Sequence, residues 1–338
     1  MVKQALENLN MTVGWTLFTG IGGVDCGMQL AGIEPVLGVE CDPSDLELSE
    51  KFKKIHELNG WHGTRLQTVE DFADWGCPGL SSDSRLAYKA RVGHFSPVCA
   101  DFSPARRSAV PTHGNMDMAA ACMAAIEIGQ PENFSMEQVP LYERSPEFAF
   151  IRDRALVLGY TFNYKALNIG AQFGQSRQRL IVTASRVGEW RSPLPAPARS
   201  WYDVIYDLIP AFDPIEPTAR QVESVRLWYA KHPDQLDSPL FVERLTSGKD
   251  PKSRGRCELI PTMTKSKFRD GNKNGRSKVS CLYLPGDRAW LNFSLEAYAR
   301  LCGFPDTFRY PNDYNTVGSG FGYAVPPIFY AQLLATMP

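Results

Sequence analysis

Five short stretches of this 338-residue chain bring together residue types that chemistry uses. In SPVCADFSPAR, residues 96–106, Cys99 follows Pro97 and precedes Arg106 and Arg107 in a polar loop after a predicted strand. A lone cysteine is most often a small buried hydrophobe. At a strand end beside cations, however, its thiolate is a nucleophile suited to reversible addition. MEQVP at 136–140 puts Glu137 at another predicted strand end, where a carboxylate is either a solvated surface group or a proton-handling one. In GQSRQRL at 174–180, Gln175, Arg177 and Arg179 alternate, which predicts one shared face of a strand; the alternative is an exposed basic strand. FTGIGG at 18–23 is a glycine-rich turn between strand and helix, where backbone can approach a ligand closely. GFGYAVPP at 320–327 reads as a glycine turn running into a proline-initiated helix.

The turn at 18–23 is followed by Glu40, which ends the next predicted strand about 20 residues on, where an acid can hold a ribose diol. Two cofactors fit this layout, a dinucleotide or S-adenosylmethionine. The dinucleotide pattern GxGxxG needs glycine at position 25, where the chain has Asp25, and this weakens the dinucleotide reading.

The elements that must position these residues alternate. Strands are predicted at 15–18, 34–40, up to Phe95, 134–139, 160–167 and 180–184. Helices are predicted at 24–30, 46–55, 117–129 and 147–158. Such alternation implies an α/β fold with a doubly wound, mostly parallel sheet, whose strand ends gather the active site. SPLPAPARS at 192–200 marks a boundary. From 200 to 291 little periodicity is visible, and helices follow at 294–304 and 328–337.

A net charge of −1 excludes a protein coated in basic residues. Yet eleven basic and only four acidic residues fall between Phe241 and Ser280, a local excess of seven positive charges. That segment is either a polyanion-binding surface or a solvated lysine-rich loop. The eight cysteines form no CxxC pair, so neither a metal cage nor a disulfide framework is expected. No apolar run has the length of a signal peptide or a membrane span, and a cytoplasmic location is expected.

In order, the five stretches resemble the blocks of the cytosine-5 DNA methyltransferase family. FTGIGGVDCGMQLAGIEPVLGVECDP looks like its first block and the acidic strand end, and SPVCADFS like the PPCQ-x-FS nucleophile loop. ENFSMEQV is similar to the block ending in ENV, QSRQR matches Q-x-R-x-R, and GYAVPP resembles GNAVPP. The likeness runs from about Leu17 to Leu208 and from about Pro261 to the C-terminus. It implies a Rossmann-like S-adenosylmethionine-dependent methyltransferase fold. The expected domains are a catalytic and donor-binding domain at 1–200, a small target-recognition domain at 201–290, and a segment at 291–338 that returns to the catalytic domain.

By the same resemblance, Cys99, Glu137, Arg177 and Arg179 are the catalytic set. Cys99 adds to carbon-6 of cytosine. Glu137 holds ring N3 and the exocyclic amine. Arg179 contacts the carbonyl at ring position 2, with Arg177 supporting that face. Phe18, Gly20, Ile21, Gly22, Gly23, Glu40, Cys41, Tyr323, Ala324 and Val325 are the implied donor-binding residues. Ser103, Lys252, Arg254, Arg256 and Lys265 are the implied DNA contacts, and no metal is implied. The partner is double-stranded DNA, with the target base flipped out. A monomer of bacterial or phage origin, acting on DNA in the nucleoid, in restriction-modification or a related role, is the expectation.

The chain departs from the family pattern at Val98, Ala100, Gln138 and Tyr323. Gln138 is expected to fill space left by Ala100. These departures keep other readings open: action on RNA or on a modified cytosine, a non-methyl donor, or a non-catalytic DNA-binding relative.

Overall fold

Residues 12–80, 90–98, 114–193, 196–243, 251–263 and 280–338 are described by the computed structural model. Cys99, Ala100, Ser103, Arg106, Arg107 and Lys265 lie outside the described residues. The chain divides into two compact units, one of residues 1–168, 178–195 and 325–338, the other of 169–177 and 196–324.

In the first unit the strands are β1 (Val13–Leu17), β2 (Glu34–Glu40), β3 (Thr64–Leu66), β4 (Val92–Phe95), β5 (Asn133–Gln138) and β6 (Thr161–Asn168). Two further strands are β7 (Gln175–Ser176), in the second unit, and β8 (Gln178–Ser185), in the first. A seven-stranded sheet runs β3-β2-β1-β4-β5-β8-β6. β3, β2, β1, β4 and β5 pair in parallel, and β8 runs antiparallel to both β5 and β6. The α/β, mostly parallel expectation therefore holds, with β8 reversed. β1, β4 and β5 are buried along their whole length, as strands covered on both faces must be.

The helices of this unit are α1 (Gly23–Leu30), α2 (Leu46–Leu58), α3 (Val69–Asp74), α4 (Gly114–Gly129) and α5 (Pro146–Val157). Side-chain oxygens of Asp45, Thr68 and Ser145 cap the first turns of α2, α3 and α5. The chain leaves β1, builds β2 and β3 on one side, and crosses back to β4 on the other. The switch point of the winding thus falls between β1 and β4, where doubly wound sheets bind ligands.

The second unit holds α6 (Trp201–Ile205), α7 (Ala219–Lys231), β9 (Leu240–Val242), β10 (Ser253–Arg254), β11 (Ile260–Pro261), β12 (Cys281–Leu284) and β13 (Ala289–Asn292). It ends with α8 (Leu295–Leu301) and α9 (Tyr314–Tyr323). Its four-stranded antiparallel sheet runs β10-β9-β12-β13, and α7 covers it through Val225 and Trp228. Residues 291–324 belong here rather than with the last helix of the first unit, α10 (Pro327–Leu334). The reason is aromatic packing: Tyr298 contacts Phe293 and Tyr314 at centroid distances of 5.6 and 5.7 Å.

Three sequence expectations need correction. Residues 320–323 are the last turn of α9, not a glycine turn, because Asp313 caps the helix upstream and carries it through the glycines. QSRQR is not one strand. β7 pairs with β11, β8 pairs with β5 and β6, and Arg177 lies between β7 and β8. The region after 200 contains a 13-residue helix, α7, whose Thr218–Gln221 capping box is a local signal that the weak periodicity concealed.

Candidate active site

The turn after β1 has an unusual backbone. Phe18, Gly20 and Gly22 have φ of 59°, 56° and 92°, all left-handed. For Phe18 this costs of order 1–3 kcal/mol, which the surroundings must offset. The clamps are visible. Gly20 N donates to the Glu40 carboxylate at 2.8 Å, and Gly20 O receives His56 Nε2 at 3.0 Å. A carbonyl only accepts, so His56 carries its proton on Nε2 and takes the Thr64 hydroxyl proton at Nδ1, 2.7 Å away. Burial holds His56 below its ordinary pKa, so the neutral ring persists. Asp25 lies under the turn and accepts from Thr16 at 3.0 Å and from Thr19. Gly22 admits no other residue, since a Cβ there would sit 2.4 Å from the Trp61 ring.

Glu40 ends β2 beside this turn. Burial pushes its carboxyl up to about 7; the Gly20 N–H opposes the rise, and Asp42 and Asp25 add to it. The donor set suits an adenosyl ligand. Space is open at Gly20, where a Cβ would meet nothing within 4 Å, and a carboxylate awaits hydroxyl donors. Ile21, Gly22 and Gly23 are buried and Cys41 is partly exposed. Val325 is buried in this unit, whereas Tyr323 (58% exposed) and Ala324 belong to the other.

At the neighbouring strand ends, Leu17 of β1 pairs with Phe95 of β4, and Phe95 with Met136 of β5. Glu137, the next residue, is buried, and its Oε1 lies 2.6 Å from Arg179 Nε on β8. The approach is off the N–H axis, so among the described residues the carboxylate accepts no aligned hydrogen bond. Gln138 donates through Nε2 to Pro97 O at 2.7 Å and accepts Val139 N at 2.8 Å, fastening β5 to the residues just before Cys99. Its supposed partner, Ala100, lies outside the described residues.

Arg177 departs from expectation. Its guanidinium donates to the carbonyls of Met263, Gly322, Tyr323 and Ala324 at 2.8–3.4 Å, which makes it a cap for the C-terminus of α9. Gln175 likewise holds Leu301 O and Met263 N. Of the alternating trio, Arg179 pairs with Glu137.

The described basic residues also differ from a bare patch. Arg256 pairs with Asp203 at 2.7 Å and lies over the Tyr202 ring, and Arg254 stands 3.6 Å from Glu258 and 3.9 Å from Glu243. Lys252 is exposed. The turn between them is held by Trp201 Nε1 on Gly255 O at 2.8 Å. Asp25, His56 and His94, the last described below, were missed by sequence reasoning; for Asp25 the only signal was its place in the glycine pattern.

A seven-stranded sheet with one reversed strand, a clamped glycine turn and an acid at the next strand end fit a methyltransferase that uses S-adenosylmethionine. The chain belongs to the C-5 cytosine-specific DNA methylase family, whose model matches residues 14–221. Three of the solved structures that share its fold illustrate the likeness. They are the Dnmt2 methyltransferase of S. pombe (15% identity, TM-score 0.57), the methyltransferase EhMeth of Entamoeba histolytica (14%, 0.58) and a protein described as a DNA modification methyltransferase encoded within an E. coli prophage (15%, 0.61). Each match covers 96% of this chain and 97% of the other. No curated protein matches the chain. Among the described residues, no helix is long and apolar enough to cross a membrane.

Glu40→Ala is expected to weaken S-adenosylmethionine binding by about 1.5–3 kcal/mol, the scale of hydrogen bonds to a charged acceptor. That is roughly ten- to hundredfold by calorimetry. The pH dependence has a definite sign. The carboxyl's pKa is raised from 4.5 to about 7, so the stability it contributes is full below 4.5 and is lost as pH rises through about 7. Ribose hydroxyls prefer the ionised form, so donor affinity rises over that same interval, and Glu40→Gln flattens the rise.

Proposed function

We propose that this protein methylates carbon-5 of a cytosine flipped out of duplex DNA. Carbon-5 is a poor nucleophile until a thiolate adds to carbon-6 and makes the ring an enamine. Cys99 is the thiolate by its place in the sequence, four residues beyond the end of β4. Glu137 accepts from the exocyclic amine and from N3 as it gains a proton, and Arg179 holds that carboxylate in place and meets the ring carbonyl. Arg177 positions the end of α9 instead of touching the base. S-adenosylmethionine, when bound, supplies an electrophilic methyl group. Loss of the carbon-5 proton and expulsion of the Cys99 thiolate then restore the aromatic ring.

The observation that carries this reading is Glu137. It is a buried carboxylate, braced by one arginine and free of aligned donors among the described residues, on the strand beside the one that leads to Cys99. A merely structural acid at that depth would be hydrogen-bonded. The test is mass analysis of nucleosides after incubating the protein and S-adenosylmethionine with duplex DNA or with transfer RNA. 5-Methylcytosine in the DNA supports the proposal. Product in RNA alone moves the substrate, and no product in either overturns the reading.

For DNA contact, Lys252, Arg254 and Arg256 form the described part of the basic segment. Replacing all three by alanine is expected to weaken binding and to reduce the log–log salt slope by about 0.9 for each phosphate no longer neutralised. Asp203→Asn releases Arg256 and is expected to strengthen binding. An unchanged slope would make the segment a solvated loop.

A further inference from the structure

Four polar side chains of the first unit form an unbroken chain. Tyr330 OH on α10 lies 2.9 Å from Ser135 Oγ on β5. Ser135 Oγ lies 2.8 Å from His94 Nδ1 on β4, and His94 Nε2 lies 2.7 Å from Ser96 Oγ. Strand geometry builds this line. His94 and Ser135 are register partners, and the period of two puts Ser96 on the same side as His94. Gly27 of α1 lets α10 close on it, since a Cβ there would meet Pro327 O and Tyr330 Cβ at 2.8 Å. Tyr330 meets the His94 ring edge-on at 5.1 Å.

The direction of these hydrogen bonds follows from chemistry. Burial brings His94 down to about 3, so its ring is neutral and has one donor and one acceptor. Burial raises the Tyr330 phenol, which stays protonated. A phenol is a better donor and a poorer acceptor than an aliphatic hydroxyl, so Tyr330 donates to Ser135, and Ser135 donates to Nδ1. The imidazole proton is then on Nε2 and points at Ser96. Bonds aligned head to tail strengthen one another.

We infer that His94 is a positioning residue for methyl transfer. Tyr330 and Ser135 hold it as the Nε2–H tautomer, so that it donates to Ser96 and fixes the residue that follows β4, three positions before Cys99 in the sequence. The inference rests on Cys99 being the nucleophile of the reading above.

The tautomer is tested without turnover. Imidazole nitrogen-15 shifts of the full-length labelled protein are expected to show Nε2 protonated and Nδ1 bare; a protonated Nδ1 overturns the inference. Kinetics supply the second readout. Gln places an amide nitrogen near the Nε2 position, so His94→Gln should keep kcat near wild type. His94→Asn cannot reach Ser96 and should lose kcat by about tenfold, the upper end of the scale for a neutral hydrogen bond, with KM for DNA and donor unchanged. Equal kcat for the two variants, or a loss confined to KM, overturns the inference. Should His94→Asn fail to fold, Tyr330→Phe removes one oxygen only and carries the same expectation. A wild-type protein that transfers no methyl group refutes the functional reading, while the nitrogen shifts still decide the tautomer.

Discussion

Cys99→Ala is expected to give a folded protein that binds S-adenosylmethionine and transfers no methyl group. The side chain bonds covalently only during turnover, and what holds the preceding residues does not depend on it. Gln138 anchors Pro97 O at 2.7 Å, and Val98 N meets Met118 Sδ at 3.4 Å. Serine cannot substitute, because its hydroxyl is far less acidic than a thiol and a poorer nucleophile without a base. Wild type should also form a denaturation-stable adduct with DNA carrying 5-fluorocytosine, since fluorine at carbon-5 cannot leave as a proton. The readouts are methyl transfer to DNA and the gel shift of the adduct. Substantial turnover by Cys99→Ala would sink the covalent mechanism.

Glu137→Gln should lower kcat by about 10²–10⁴, the range for removing a positioned proton-handling group. The amide retains the shape but cannot balance a protonated ring N3. The change also leaves Arg179, with only 16% of its side chain exposed, without its ionic partner. Breaking such a pair is destabilising in itself, so stability and rate must be separated. The double variant Glu137→Gln/Arg179→Gln should recover melting temperature and not activity. If the double variant regains both, Glu137 has a structural role only.

Some of this protein is determined within short windows of its sequence. The short strand-forming runs of β1 and β5, the glycines that allow left-handed turns after β1, and the capping residues at Asp45, Ser145 and Thr218 are local matters. Because each depends on neighbours in the chain, the α/β order and the places of Glu40 and Glu137 at strand ends were legible. So was the resemblance carried by five ordered blocks.

Other features depend on which strands become neighbours. Arg177 and Arg179 look equivalent in QSRQR, yet the first caps α9 and the second braces Glu137, because the chain changes partners between β7 and β8. Arg254 and Arg256 count as bare charge in the sequence, and only folding sets them against Glu258, Glu243 and Asp203. The line from Tyr330 through Ser135 and His94 to Ser96 contains a bonded pair, Tyr330 and Ser135, 195 positions apart. No local propensity encodes it. A hydrogen bond needs heavy atoms within about 3 Å, and that proximity is created only when β4, β5 and α10 come together in the folded chain.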